Sequence, residues 1–283
     1  MVNYYKITNR FTRITNEGWI IGELKQDYEF LFSVVKSILI HPMEANVAKV
    51  KYDRKNNGIF HCYNSTVDTI LKYSFLKQYL KDRKLPLSTQ PSDRAVLSCD
   101  HHSLLFVSFL RNMGVAARVR TGFSTYIVKD QLIPHWIAEV YDEENKKWMI
   151  IDPERQIQNV DRSSFLFASE AWKQNMVNSR YFLSYSGFPG VQGLKYALLC
   201  DLNCVFKNEL LSYEWRLKIH NRKKPSVVRA TYENLSEEQK NDINRIAEIM
   251  VNPDDNSNEL WQIYSKIVEP QDIHESGFIV QNL

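Results

Sequence analysis

Apolar side chains recur at three- and four-residue spacing over residues 29–41, at Phe30, Leu31, Val34, Val35 and Leu39, which predicts a helix. The same spacing returns over 66–81 through Val67, Ile70, Leu71, Phe75, Leu76, Tyr79 and Leu80. It stops at Leu85-Pro86-Leu87-Ser88-Thr89-Gln90-Pro91, because each proline pushes the preceding residue out of the helical region. Residues 1–91 therefore read as a mainly helical N-terminal part.

From residue 92 the period changes. Leu104, Leu105, Val107 and Leu110 mark a helix that opens at Cys99 and that Gly114 closes as a left-handed cap. Strand patterns follow. The first is Ala116 to Phe123. In the second, His135, Ile137, Glu139 and Tyr141 project to one face and Trp136, Ala138 and Val140 to the other. A polar hairpin turn, Asp142-Glu143-Glu144-Asn145-Lys146-Lys147, leads into Trp148 to Asp152. A helix packed on an antiparallel sheet makes residues 92–160 an α+β core. Residues 161–283 return to helices, with Leu194 to Trp215 as one long amphipathic candidate. Ser236-Glu237-Glu238-Gln239 has the form of a capping box that opens a helix through Met250. The three parts are expected to form one compact unit.

Composition adds boundaries rather than an identity. With 44% hydrophobic and 24% charged residues, the 283-residue chain is an ordinary globular sequence. Its net charge of +3 is too small to imply nucleic acid or a membrane surface as partner. The charge is uneven: residues 230–283 hold 11 acidic and 3 basic residues, net −8, which leaves +11 on residues 1–229. Mutual neutralisation between packed segments is favoured over the alternative, a basic front part that attracts an anionic substrate or carrier. The N-terminus lacks the basic-then-apolar order of a secretory signal, and no stretch approaches the roughly 18 apolar residues of a membrane span. Four cysteines do not make a disulfide framework, so the expectation is a cytoplasmic chain with reduced thiols.

Chemistry concentrates at Cys99. A thiol attacks an acyl carbon only as thiolate, and the positive end of a helix favours that form. An imidazole within hydrogen-bond reach favours it further, and a carboxylate on the other ring nitrogen fixes the tautomer. His135 follows Cys99 by 36 residues, room for a helix, a strand and a loop. Asp152 follows His135 by 17, the length of a hairpin that brings two strands side by side. The expected roles are Cys99 as nucleophile, His135 as base and acid, and Asp152 as orienting carboxylate.

At these residues the chain resembles the transglutaminase-like superfamily, whose fold is papain-like. The resemblance runs from Arg94 to Pro153. It includes Cys99 with its apolar helix, Arg111-Asn112-Met113-Gly114-Val115-Ala116-Ala117-Arg118, Thr121-Gly122-Phe123, His135-Trp136, and Trp148 through Asp152-Pro153. Asp201-Leu202, Lys207-Asn208-Glu209 and Tyr213-Glu214-Trp215 are similar to a helix that follows the core in a bacterial branch of single-chain proteins. The resemblance implies cysteine-dependent acyl transfer through a thioester acyl-enzyme, without metal or organic cofactor. The implied substrate is an amide- or thioester-bearing peptide, small molecule or carrier-bound acyl group, with an amine acceptor where transfer replaces hydrolysis. An arylamine N-acetyltransferase-like enzyme and a catalytically inactive binding module are the alternatives. The chain departs from that branch after the cysteine, where Asp100, His101 and His102 replace Arg-Asp. Asp100 opposes thiolate formation if it faces the thiol, and His101 and His102 are poorly aimed at it.

Secondary candidates weigh less. The Cys99 backbone N–H is the expected oxyanion donor, with Gln90 a second one. Trp136 is either sheet packing or a water shield at the substrate. Cys200 and Cys204 lie four apart on one helical face without a second ligand pair, so core packing is expected. His61-Cys62 is unspecific, and His220 to Pro225 reads as a basic linker. Asp201 and Glu209, placed on one helix, are expected to pair with Arg118 or Arg120.

Overall fold

The computed structural model describes residues 1–52, 66–75, 84–85, 87, 89–175, 182, 184–211, 227–228 and 230–267. Two compact units are formed, one from Val2–Val119 with Ile137–Val160, the other from Arg120–Trp136 with Asp161–Leu283. His61-Cys62, the end of the helix expected over 66–81, Tyr213-Glu214-Trp215 and His220 to Pro225 lie outside the described residues.

The first unit holds α1 (Trp19–Glu23), α2 (Tyr28–Ile38), α3 (Pro42–Val47), α4 (Val67–Phe75) and α5 (Cys99–Asn112). Every residue of α5 from Asp100 to Arg111 is buried, which makes it a core helix rather than a surface one. The Phe32 ring of α2 stacks on Phe106 with centroids 5.5 Å apart. Polar side chains on α5 find partners too: Ser108 Oγ and Asn112 Nδ2 both donate to the Thr12 carbonyl, at 2.6 and 3.0 Å. Gly114 closes α5 as expected. Its φ is +78°, its N–H bonds the Arg111 carbonyl, and the Val115 N–H bonds that of Leu110.

The helix expected over 29–41 ends sooner. Leu39–Ile40 form β1, paired in parallel with β2 (Ala95–Val96) in the register Leu39↔Ala95 and Ile40↔Val96. Pro42 disfavours helix at His41, and the pairing with β2 overrides the apolar periodicity of Leu39.

The main sheet is a curled antiparallel one of order β5-β4-β3-β6, with β3 at Ala117–Ser124, β4 at Ile133–Asp142, β5 at Lys147–Ile151 and β6 at Phe165–Phe167. β4 and β5 pair from Ala138↔Ile151 to Asp142↔Lys147. Asp142 Oδ1 accepts the Glu144 and Asn145 N–H groups at 3.0 Å each, which forms the expected hairpin turn. Helices with this sheet give the α+β, papain-like core.

The second unit holds α6 (Ala168–Lys173), α7 (Gly190–Val205), α8 (Glu237–Ile249) and α9 (Ser257–Ile267). α6 packs on both α7 and α8. The capping box forms as expected: Ser236 Oγ accepts the Gln239 N–H, and Gln239 Oε1 accepts the Ser236 N–H. α7 corrects the expectation of one helix through Trp215, because it ends at Val205. Lys207 takes φ +55°, its N–H bonds the Cys204 carbonyl, and the Asn208 N–H bonds that of Asn203. This is a Schellman closure without glycine, and it leaves Glu209 beyond the helix. Cys200 and Cys204 are buried free thiols.

Asp201 pairs with Arg120 in a two-armed contact, Nε to Oδ1 and Nη2 to Oδ2, both 2.9 Å. Arg118 pairs with Glu139 instead, at 2.6 Å, its guanidinium 4.1 Å from the Trp148 ring centroid. Among the described residues no helix is long and apolar enough to cross a membrane.

Candidate active site

The short β1–β2 pair delivers Cys99. The Leu97 N–H donates to the Ile40 carbonyl at 2.9 Å, and Ser98 then turns extended to cap α5. Cys99 is the first residue of that helix and is half-buried. The unpaired N–H groups of a helix's first turn give such a position positive character.

The unusual neighbours of Cys99 are occupied. Asp100 Oδ1 accepts from Ser98 Oγ and from the His101 N–H, and lies 2.8 Å from His101 Nδ1. Burial alone would raise the Asp100 carboxyl, but the charge and hydrogen bond of His101, with Ser98, hold it well below the ordinary carboxylate range. His102 Nδ1 lies 2.9 Å from the Ser98 carbonyl, so that nitrogen carries the proton. Burial, the largest influence, pushes the His102 pKa down to about 3, the Ser98 carbonyl opposes it, and the charge of Lys36 adds to it. Both histidines therefore have their Nδ1 committed within the first turn of α5.

His135 stands on β4, buried at 2% exposure, with its backbone carbonyl 3.4 Å from Thr121 Oγ1. Thr121 Oγ1 is 2.6 Å from the Tyr185 hydroxyl, which accepts the Trp136 indole N–H at 2.9 Å. Trp136 thus spends its polar edge in a buried hydrogen-bond chain on the strand face opposite His135. Gln90 is exposed, and its backbone N–H bonds Asp93 Oδ2 at 3.3 Å.

Asp152 follows β5 and is fully buried. Its Oδ1 accepts the N–H groups of Glu154 and Arg155 at 3.0 Å each, and its backbone pairs reciprocally with Ile157. That turn sets the direction of Glu154, a carboxylate the sequence reading did not single out. Within the first unit the Cys99 sulfur and a Glu154 carboxylate oxygen lie within 4.8 Å of one another. Glu154 stands two residues after Asp152, so an acid at this place was visible in the sequence. Its aim was not, because it depends on the Asp152 turn.

A model of the transglutaminase-like superfamily matches residues 51–153. The core of this chain is transglutaminase-like. Cys99, His135 and Asp152 fall inside the match, and Glu154 lies one residue past it. A search of curated proteins and a search of solved structures each found no match. The superfamily usually holds cysteine enzymes, and the matched residues here include Cys99 at the start of its buried helix.

Proposed function

We propose that this chain is a cysteine-dependent acyl-transfer enzyme acting on an amide or thioester carbonyl. The observation that carries the reading is the Cys99 thiol at the start of a buried helix, inside the match to the transglutaminase-like superfamily. His135 takes the thiol proton as the sulfur bonds the carbonyl carbon. The oxygen so charged is met by the Cys99 backbone N–H. The bond to the leaving amine or thiolate breaks, the leaving group takes the proton from His135, and a thioester on Cys99 remains. An amine or water then attacks that thioester. His135 removes the acceptor's proton and returns it to the departing Cys99 sulfur. Asp152 is the orienting carboxylate of His135 in this scheme.

The test is the rate of Cys99 alkylation by iodoacetamide across pH. A reactive thiolate at pH 6 that His135→Ala abolishes supports the reading, as does a mass shift on Cys99 after incubation with a thioester. A Cys99 that reacts only above about pH 8, like a free thiol, with His135→Ala unchanged, rejects it.

A further inference from the structure

A cavity of about 570 Å³ lies at the far end of α5 from Cys99, where Met113 and Gly114 close the helix. That volume is the size of a small-molecule site. The helix runs 14 residues from Cys99 to Asn112, about 20 Å, so the cavity is remote from the thiol. All the residues that line it belong to the first unit. We propose that this cavity binds an aliphatic diamine in its doubly protonated form, at a site separate from Cys99.

The lining combines apolar surface with an excess of negative charge. Met113, after α5, and Met149, on β5, supply flexible apolar side chains that adapt to an alkyl chain. Tyr28, the first residue of α2, joins them, its ring 6.3 Å from that of Phe106 on α5. The β4–β5 turn brings Asp142, Glu143 and Glu144. Among the described residues Lys6 is the only cation of the lining, and it is spent on Glu143 at 2.7 Å. Asp142 and Glu144 have no cation at ion-pair distance among the described residues. Lys147, the register partner of Asp142 on β5, adds its charge only from a distance. Three carboxylates against one ammonium leave the cavity with a charge of −2.

The unsatisfied groups ask for a donor. The Asn145 side chain, with the Asn145 and Glu144 N–H groups, holds the Asp142 carboxyl below its ordinary range, so it stays charged. Burial and then that charge raise the Tyr28 hydroxyl, which stays protonated and makes no hydrogen bond among the described residues. The Glu144 carboxylate makes none either. An ammonium is a donor without acceptor capacity and suits both oxygens. An anion would meet two uncompensated carboxylates. A bare metal ion would leave the methionines uncovered, whereas a diamine places two ammonium ends among the acids and its alkyl spacer on Met113 and Met149. Its charge of +2 equals the deficit.

The test is calorimetric titration of the purified full chain with terminal alkyl diamines of graded length, against the monoamine and the diol of equal length. One diamine per chain is expected. It should bind at least about threefold tighter than the monoamine, and the diol should not bind. Asp142→Asn, which keeps an acceptor for the turn, combined with Glu144→Gln should weaken binding about fivefold or more. Tyr28→Phe should weaken it about threefold. Lys6→Gln frees Glu143 and should tighten it about threefold, a direction that damage to the fold does not produce. Cys99→Ala should bind like the parent. Undiminished binding by the double variant, no gain in Lys6→Gln, equal affinity for monoamine and diamine, or displacement by equimolar Ca2+ would mean diffuse attraction of cations and overturn the site. Loss of binding in Cys99→Ala would place the diamine at the thiol, and no heat at millimolar diamine would overturn the site as well. Each readout is binding at a place remote from Cys99, so it succeeds or fails separately from acyl transfer.

Discussion

Replacing Asp201 by asparagine should destabilise the second unit far more than a typical single substitution. The carboxylate, 0% exposed, takes both arms of the Arg120 guanidinium at 2.9 Å and the Thr121 N–H at 3.0 Å. Arg120 itself is 1% exposed, with its guanidinium 4.3 Å from the Phe167 ring centroid and a further bond to the Met250 carbonyl. Asparagine keeps the shape but removes the charge, and it presents a donor where three donors already converge. Arg120 then loses its two-armed charge partner while staying buried, and breaking a buried ion pair from one side costs about 3–5 kcal/mol. Against a total stability of about 5–15 kcal/mol, that is a large fraction. Urea unfolding followed by tryptophan fluorescence should show the midpoint falling with little change in slope. The paired change Arg120→Met with Asp201→Leu should recover most of the loss, because a buried ion pair and a well-packed apolar pair are close in net stability. A loss under about 1 kcal/mol for Asp201→Asn, or a double variant as unstable as the single one, would refute the reasoning.

Three further outcomes follow from the same structure. The folded His102 ring titrates at about 3, whereas an unfolded histidine titrates near ~6.5. Between those values the unfolded state binds the extra proton, so stability falls as pH falls, by about 1.4 kcal/mol per pH unit. Unfolding free energies from urea at pH 7 and pH 5 should differ by about 2 kcal/mol more in the parent than in His102→Asn, and equal differences would contradict this. Asp100, held low, adds its own acid loss only below about pH 4. A Cβ on Gly122 would sit 2.3 Å from the Leu166 carbonyl oxygen, while one on Gly22 meets nothing within 4 Å. Gly122→Ala should therefore cost about 3 kcal/mol or more and Gly22→Ala should stabilise by about 0.5–1 kcal/mol, as thermal melts will show. Tyr185→Phe strips the hydroxyl shared by Thr121 and Trp136 and should cost about 1–3 kcal/mol in urea unfolding; a neutral result would mean the chain beneath His135 has no energetic weight.

What the sequence determined by itself is the local part of this protein. Gly114 closes α5 because a left-handed residue must follow that helix, and Asp142 starts the β4–β5 turn through its own side chain. Ser236 and Gln239 cap α8 across three residues. The place of Cys99 at a helix start and of His135 inside a strand follows from apolar periodicity in the same way. Each of these depends on partners within a few residues, so the pattern contains the cause. Tertiary structure decided the rest. β1 replaced the end of a helix because its partner, β2, lies more than fifty residues on. α7 stopped at Val205 although the apolar positions continue, since Leu210 and Leu211 are buried without being helical. Arg120 rather than Arg118 met Asp201, a choice made by which strand segment faces α7. Glu154 reached Cys99 because the Asp152 turn aims it there, a direction that spacing along the chain does not encode. Periodicity reports which face of an element is apolar, whereas the composition of the site depends on which distant backbone that face meets.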